Sequence, residues 1–179
     1  MQQSNAYIIT FSVILTVVLG LLLSGTSQVL GPMQKEAIAL DKKKQILGAV
    51  IAAEEIEAMT PEQVNEYYSK RISSIVVDIN GKEVTKDAAG APVTAETVDI
   101  AKNYKKPAED RLFPVFIFLA KGSSENIESY VFPLYGAGLW DAIWGFVALD
   151  TDMNTVGGIT LAHAGETPGL GARITEGGG

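Results

Sequence analysis

The stretch from Phe113 to Ala162 decides the fold, because it holds four short runs of one kind: FPVFIFLA (113–120), ESYVFPL (128–134), WGFVAL (144–149) and VGGITLA (156–162). Each run is rich in β-branched or aromatic residues and is bounded by turn residues, which is typical of strands. No helical segment alternates with these runs, so the pattern predicts an antiparallel sheet. Upstream, SIVVDI (74–79) predicts a further strand that ends in an Asn-Gly hairpin turn.

Two helical patterns precede the predicted strands. Apolar residues from Met33 to Ala58 recur at spacings of three and four, which predicts one helix with an apolar stripe. Thr60-Pro61-Glu62-Gln63 then has the composition of a capping box with proline at the first helical position. The expected fold class is therefore α+β, with helices packed on a mainly antiparallel sheet. Two polar connectors are expected, at 86–91 and 102–111.

The N-terminal segment has the composition of a membrane anchor. All 35 charged residues (14 Lys and Arg, 21 Asp and Glu) lie at or after Lys35, and Tyr7–Leu23 reads YIITFSVILTVVLGLLL. About 20 apolar residues are enough for a helix to cross a bilayer. We expect a single membrane helix over about 7–30, an anchor at 1–32 that ends at Gly31-Pro32, and one domain over 33–179. A cleaved signal peptide is disfavoured, since MQQSNA contains no Lys or Arg.

The lysines near the anchor bear on its orientation. Lys35 and Lys42–Lys44 follow the span, whereas no basic side chain precedes it. The positive-inside rule, applied alone, places the domain in the cytoplasm.

Composition and the lone histidine exclude several classes of function. A net charge of −7 argues against a nucleic-acid-binding surface. The absence of cysteine excludes thiolate metal sites and Cys-ligated iron–sulfur clusters, so redox chemistry would need another kind of cofactor. His163 is the only histidine and no G-x-S-x-G motif occurs, so we expect no metal site and no catalytic triad. His163 is interpreted as a surface residue at a strand end.

Two glycine-rich segments are the candidates for a ligand site. Gly136-Ala137-Gly138-Leu139-Trp140 lacks the third glycine of a dinucleotide fingerprint and leads into a strand, so it is interpreted as a turn. Glu166-Thr167-Pro168-Gly169-Leu170-Gly171 predicts a tight turn, because proline fixes φ and the glycine after it permits positive φ. Its glycines leave room for a flat ligand, and its carboxylate and hydroxyl offer polar contacts. From the residues alone, a plain turn with a capped carboxylate remains the alternative.

The run GAGLWDAIWGFVALDTDMNTVGGITLAHAGETPGLGARI (136–174) resembles the FMN-binding domain of the C subunit of the sodium-translocating NADH:quinone reductases. The resemblance also covers the anchor and ALDKKKQIL (39–47). The G subunit of the Rnf electron-transport complex shares ETPGLG but does not typically contain G-L-W-D. Gly138–Asp141 therefore favours the quinone-reductase family.

The resemblance implies a function and a site. Trp140 would pack near the isoalloxazine ring, and Glu166, Thr167, Gly169, Leu170 and Gly171 would form the wall and polar contacts of the FMN site, with no residue acting as a catalytic acid or base. The protein would be an electron-carrying subunit, inactive alone, within an NADH:quinone reductase of six different subunits that exports sodium. It would lie in the bacterial inner membrane with lipid around its anchor and its domain on the periplasmic side, opposite to the face that lysine counting favours. The alternatives are an Rnf-type G subunit and a membrane-tethered binding domain without a cofactor.

The family attaches FMN through a phosphoester to the threonine of a Ser-Gly-Ala-Thr motif, which the 179 residues do not contain. We therefore expect a C-terminally incomplete flavin domain that holds FMN noncovalently at most.

This expectation predicts that the chain carries no covalent flavin when it is produced together with the flavin transferase, because the acceptor threonine is missing. In-gel fluorescence after denaturing electrophoresis measures this directly. A fluorescent band at the size of this chain would identify another residue as the acceptor and contradict the assignment.

Overall fold

A five-stranded sheet forms the frame of the domain in the computed structural model, which describes residues 5–87, 89–123 and 125–175. Every strand pairs antiparallel with the next one along the chain, in the order β1 to β5. The strands are β1 (Ile72–Val77), β2 (Phe113–Leu119), β3 (Ile127–Ala137), β4 (Ala142–Asp150) and β5 (Val156–His163). The predicted α+β class and antiparallel sheet are confirmed.

One face of the sheet carries the core. Buried and half-buried positions alternate along β2, so that Phe116 and Phe118 point to the same side. The rings of Phe116 and Phe146 meet edge to face at 6.0 Å, and Val131 lies fully buried between their strands on β3. This alternation is the period of two that a sheet with one face in the core requires.

The first helix, α1, runs without interruption over Asn5–Gly48 and contains Pro32. It holds an apolar stretch long enough to cross a membrane by length and composition. The helix predicted from Met33, as a continuation of the apolar segment, is present, but it ends at Gly48 and not near Ala58. The end of the membrane anchor at residue 32 stays a prediction. Proline removes one backbone hydrogen bond of a helix, and in a helix this long the remaining bonds keep it continuous. A separate short helix, α2, occupies Ala53–Glu57.

Two compact units divide the chain at Asp41/Lys42, so the last residues of α1 belong to the sheet domain. Ile46 and Leu47 are fully buried there. The Thr160 hydroxyl of β5 donates to the carbonyl of Gln45 at 2.9 Å. A Cβ on Gly158 would lie 2.5 Å from the Ala49 carbonyl oxygen. The end of α1 therefore packs directly on β5.

The third helix, α3 (Pro61–Arg71), begins with the predicted capping box. The amide of Gln63 donates to the Thr60 hydroxyl at 3.3 Å, and the Gln63 side chain accepts from the Thr60 amide at 2.8 Å. Val64 and Tyr68 are the buried residues of this helix. The 102–111 connector differs from the prediction, because α4 (Ile100–Tyr104) lies across its start, capped by Asp99. The 86–91 connector is a turn in its described part, and Ala88 lies outside the described residues.

Glu96 ties the segment before α4 to α3 and β1. Its carboxylate accepts from the Tyr68 hydroxyl at 3.1 Å and from the Ser74 hydroxyl at 3.0 Å. Burial alone would raise the pKa of Glu96, but hydrogen bonds from its own amide, Ser74 and Tyr68 outweigh burial and lower it. Burial and the nearby Glu96 charge raise the pKa of Tyr68. The phenol therefore stays protonated and donates to an ionised carboxylate.

The burial of the α1 end predicts that Leu47→Ala lowers the free energy of unfolding by about 2–5 kcal/mol, because it opens a cavity in the core. Ile79→Ala is the control, since Ile79 is exposed and its truncation should cost less than about 0.5 kcal/mol. Urea unfolding of the full chain in detergent compares the two variants. Equal losses would mean that the end of α1 is not part of the domain core.

Candidate flavin site

Two turns meet at one end of the sheet. The first, here called the GLWD turn, is Gly138–Asp141 and joins β3 to β4. The second, here called the TPGLG turn, is Thr167–Gly171 and follows β5. Ile143 at the start of β4 pairs with His163 at the end of β5, so the sheet register brings the two turns to the same end.

The Glu166 carboxylate lies between these turns and is only 6% exposed. Its Oε1 accepts from the Trp140 amide at 3.1 Å. The Glu166 amide donates to Nδ1 of His163 at 3.2 Å. Both ends of this residue are therefore fixed, one by the GLWD turn and the other by the end of β5.

Two glycines, Gly138 and Gly171, lie close to the Glu166 carboxylate. A Cβ on Gly171 would lie 2.5 Å from Oε2 of Glu166, and real Cβ atoms do not come so close to other heavy atoms, so a side chain there would displace the carboxylate. A Cβ on Gly138 would meet Oε1 of Glu166, and also the Asp141 carbonyl oxygen at 2.7 Å and the Ile143 side chain at 2.8 Å. The space beside Gly171 is thus occupied by Glu166, whereas a Cβ on Gly169 would meet no atom within 4 Å.

The TPGLG turn is closed by its own backbone. The Thr167 carbonyl accepts from the amides of Leu170 and Gly171, each at 3.1 Å. Gly169 has φ +81°, a conformation that favours glycine. The tight turn predicted from Pro168-Gly169 is present.

Three large apolar side chains on the two turns are exposed to solvent. Leu139 is 74% exposed, Trp140 67% and Leu170 74%. Thr167 and Gly169 are also exposed. Adjacent exposed apolar side chains mark a surface that binds a ligand or a partner. An indole, two leucines and a threonine hydroxyl fit the apolar face and the polar edge of a flavin ring.

The structure brings the six predicted site residues together, five of them on these two turns and Glu166 between the turns. Trp140 is bonded to Glu166 through its amide, Gly171 lies against the Glu166 carboxylate, and Thr167, Gly169 and Leu170 belong to the same turn. Contact of these residues with a flavin stays a prediction. Sequence reasoning missed two partners of Glu166, namely His163 and Gly138. Their signals were a histidine three residues before Glu166 and a second glycine before Leu139.

The matching family model and the fold define an FMN-binding-domain protein with an N-terminal helix long and apolar enough to cross a membrane. The family model that matches the chain is described as "FMN-binding domain" and covers residues 138–178, which include both turns.

The chain belongs to the family of C subunits of the Na(+)-translocating NADH-quinone reductases. It is 34% identical over 173 residues to the C subunit of Yersinia pestis, covering 90% of this chain and 63% of the relative. It is 34% identical over 182 residues to the C subunit of Haemophilus ducreyi, and this match covers 98% of this chain and 69% of the relative. The crystal structure of the C subunit from Parabacteroides distasonis has a TM-score of 0.65 and 31% identity over 82% of this chain and 64% of that one. The crystal structure of Shewanella oneidensis NqrC shares the fold, with a TM-score of 0.57 and 24% identity. This match covers 76% of this chain and 66% of that one. The chain thus spans about two thirds of the length of these proteins.

Proposed function

We propose that this chain is an FMN-carrying subunit of a membrane respiratory complex that passes electrons from NADH toward ubiquinone and is coupled to sodium export. The GLWD and TPGLG turns carry this proposal. They lie within the region that matches the FMN-binding domain and expose an indole beside two leucines. The relatives that are named as subunits of such a complex match 90% and 98% of this chain, so the matches extend over both the domain and the anchor segment. Other subunits of the complex are the proposed partners, six different chains in all.

The residues of the two turns would hold the cofactor in distinct ways. Trp140 and Leu170 would cover the apolar faces of the ring and exclude water from it, because both side chains stand in solvent. Thr167, with its exposed hydroxyl, and the backbone of Gly169 would meet the polar edge. Bound FMN supplies the redox chemistry, while the protein sets its position and its electrostatic surroundings. A phosphoester to a threonine, as in the family, is the proposed attachment in proteins of this kind.

We further propose that the domain lies on the periplasmic side of the inner membrane, which the family resemblance supports. The lysines after the apolar stretch favour the opposite orientation, but assembly with partner helices can override a charge bias of this size.

This orientation predicts that protease added to spheroplasts digests the domain, because it would be exposed at the outer surface of the inner membrane. Immunoblotting against the domain measures its loss beside a known periplasmic control. A domain that stays intact while the control is digested would place it in the cytoplasm.

The flavin proposal predicts that the full chain in detergent binds FMN noncovalently, and that Trp140→Ala weakens binding roughly tenfold through lost ring contact. Titration by flavin fluorescence gives both dissociation constants. Val156→Ala is the matched control: Val156 is also exposed, but it begins β5 at the opposite end of the sheet, so its variant should bind like the unsubstituted chain.

Two outcomes would contradict this proposal. A chain that binds no FMN would favour the cofactor-free tethered domain. Equal affinities for the Trp140→Ala and Val156→Ala variants would remove Trp140 from the site. In the assembled complex, turnover from NADH to quinone is expected, whereas turnover from ferredoxin to NAD would assign the chain to the Rnf-type family.

A further inference from the structure

We infer that Glu166 is a positioning residue whose buried carboxylate fixes the GLWD turn against the TPGLG turn, and that position 171 is a glycine because the carboxylate needs its space. The link to flavin rests on the proposed function, since these are the turns that present Trp140 and Leu170. The contacts between the two turns themselves do not depend on a ligand.

The first contact sets the position of Trp140. Oε1 of Glu166 accepts from the Trp140 amide at 3.1 Å, so the carboxylate holds the backbone rather than the exposed indole. The same turn is closed by the Gly138 amide, which donates to the Asp141 carbonyl at 2.7 Å. Glu166 thus adds a bond from outside to a turn that has one internal bond.

The second contact sets the position of the TPGLG turn. Gly171 lies so close to Glu166 that the three atoms nearest to a Cβ there would all belong to this side chain, with Oε2 at 2.5 Å, Cδ at 3.2 Å and Cβ at 3.3 Å. Leu170 precedes Gly171, and the amides of both residues donate to the Thr167 carbonyl. The turn that exposes Leu170 therefore packs on the carboxylate through Gly171.

Burial distinguishes positioning from direct ligand binding. Glu166 is 6% exposed, whereas Leu139, Trp140 and Leu170 are each more than 60% exposed. The Glu166 amide is also fixed by Nδ1 of His163. A carboxylate held in this way acts on a ligand through the turns it fixes, and a ligand contacts the side chains that those turns expose.

If Glu166 has this role, the loss of stability caused by a side chain at position 171 depends on whether the Glu166 carboxylate is present. If the carboxylate fills the space beside Gly171, then removing it relieves the clash. If Gly171 instead leaves its backbone bare for the flavin, the cost of Gly171→Ala falls on flavin binding and persists without Glu166. A double-mutant cycle separates the two, because it isolates the pairwise interaction.

The cycle uses the full chain in detergent without flavin, in four forms: unsubstituted, Gly171→Ala, Glu166→Ala and the double variant. We expect Gly171→Ala to lower Tm by about 3 °C or more in the unsubstituted background and by less than about 1 °C in the Glu166→Ala background. Gly136→Ala is the control, since its Cβ would meet no atom within 4 Å, and it should leave Tm unchanged in both backgrounds. Equal losses in the two backgrounds would overturn the inference.

FMN titration of these chains and of a Glu166→Gln variant measures the dissociation constant, which a loss of stability alone does not change. Glu166→Gln keeps the length of the side chain and an oxygen for the Trp140 amide, so we expect its dissociation constant to stay within about threefold of the unsubstituted value. Glu166→Ala should weaken FMN binding roughly tenfold. If Glu166→Gln weakens binding as much as Glu166→Ala, the flavin requires the charge itself and the positioning role is wrong. If no form binds FMN, the proposed function fails, while the thermal cycle still decides the contact between the turns.

Discussion

The buried carboxylate of Glu166 is the constraint on which the site depends. It is held by the Trp140 amide on one side and packed against Gly171 on the other, so two turns that are far apart in sequence share one side chain. A carboxylate placed in so little space requires glycine at 171, since a Cβ there would displace it. With that contact in place, the large apolar side chains of both turns remain in solvent on one end of the sheet. This surface is preorganised for a flat ligand, because the entropy of ordering its two turns is lost during folding and not during binding.

Strand β5 connects this site to the end of α1. Along the strand, Gly158 lies against the Ala49 carbonyl and the Thr160 hydroxyl bonds the Gln45 carbonyl, while His163 at its end accepts from the Glu166 amide. The last residues of α1 are thus part of the same packed unit as the candidate flavin site.

The sequence predicted the features that depend on local chemistry. Strands follow from short runs rich in β-branched or aromatic residues, such as FPVFIFLA, and the cap at Thr60 follows from four consecutive residues. The end of α1 at Gly48 was missed, because the apolar spacing that predicts the helix continues beyond it to Ile51. The burial of Glu166 was missed for a different reason: Trp140 and Glu166 are 26 positions apart, and only the register of β3, β4 and β5 brings them together. The six site residues came from resemblance, and the space around Glu166 came from the structure.

Hydrogen exchange at the Trp140 amide tests the central contact most directly, because that amide belongs to an exposed turn residue yet donates to a nearly buried carboxylate. The measurement is made by NMR on the full chain in detergent, with the Val131 amide in the central strand as the internal reference. The account predicts that the Trp140 amide is protected in the unsubstituted chain and exchanges at least about tenfold faster in Glu166→Ala, while Val131 keeps its protection in both. An unprotected Trp140 amide in the unsubstituted chain, or one whose protection survives Glu166→Ala, would contradict it.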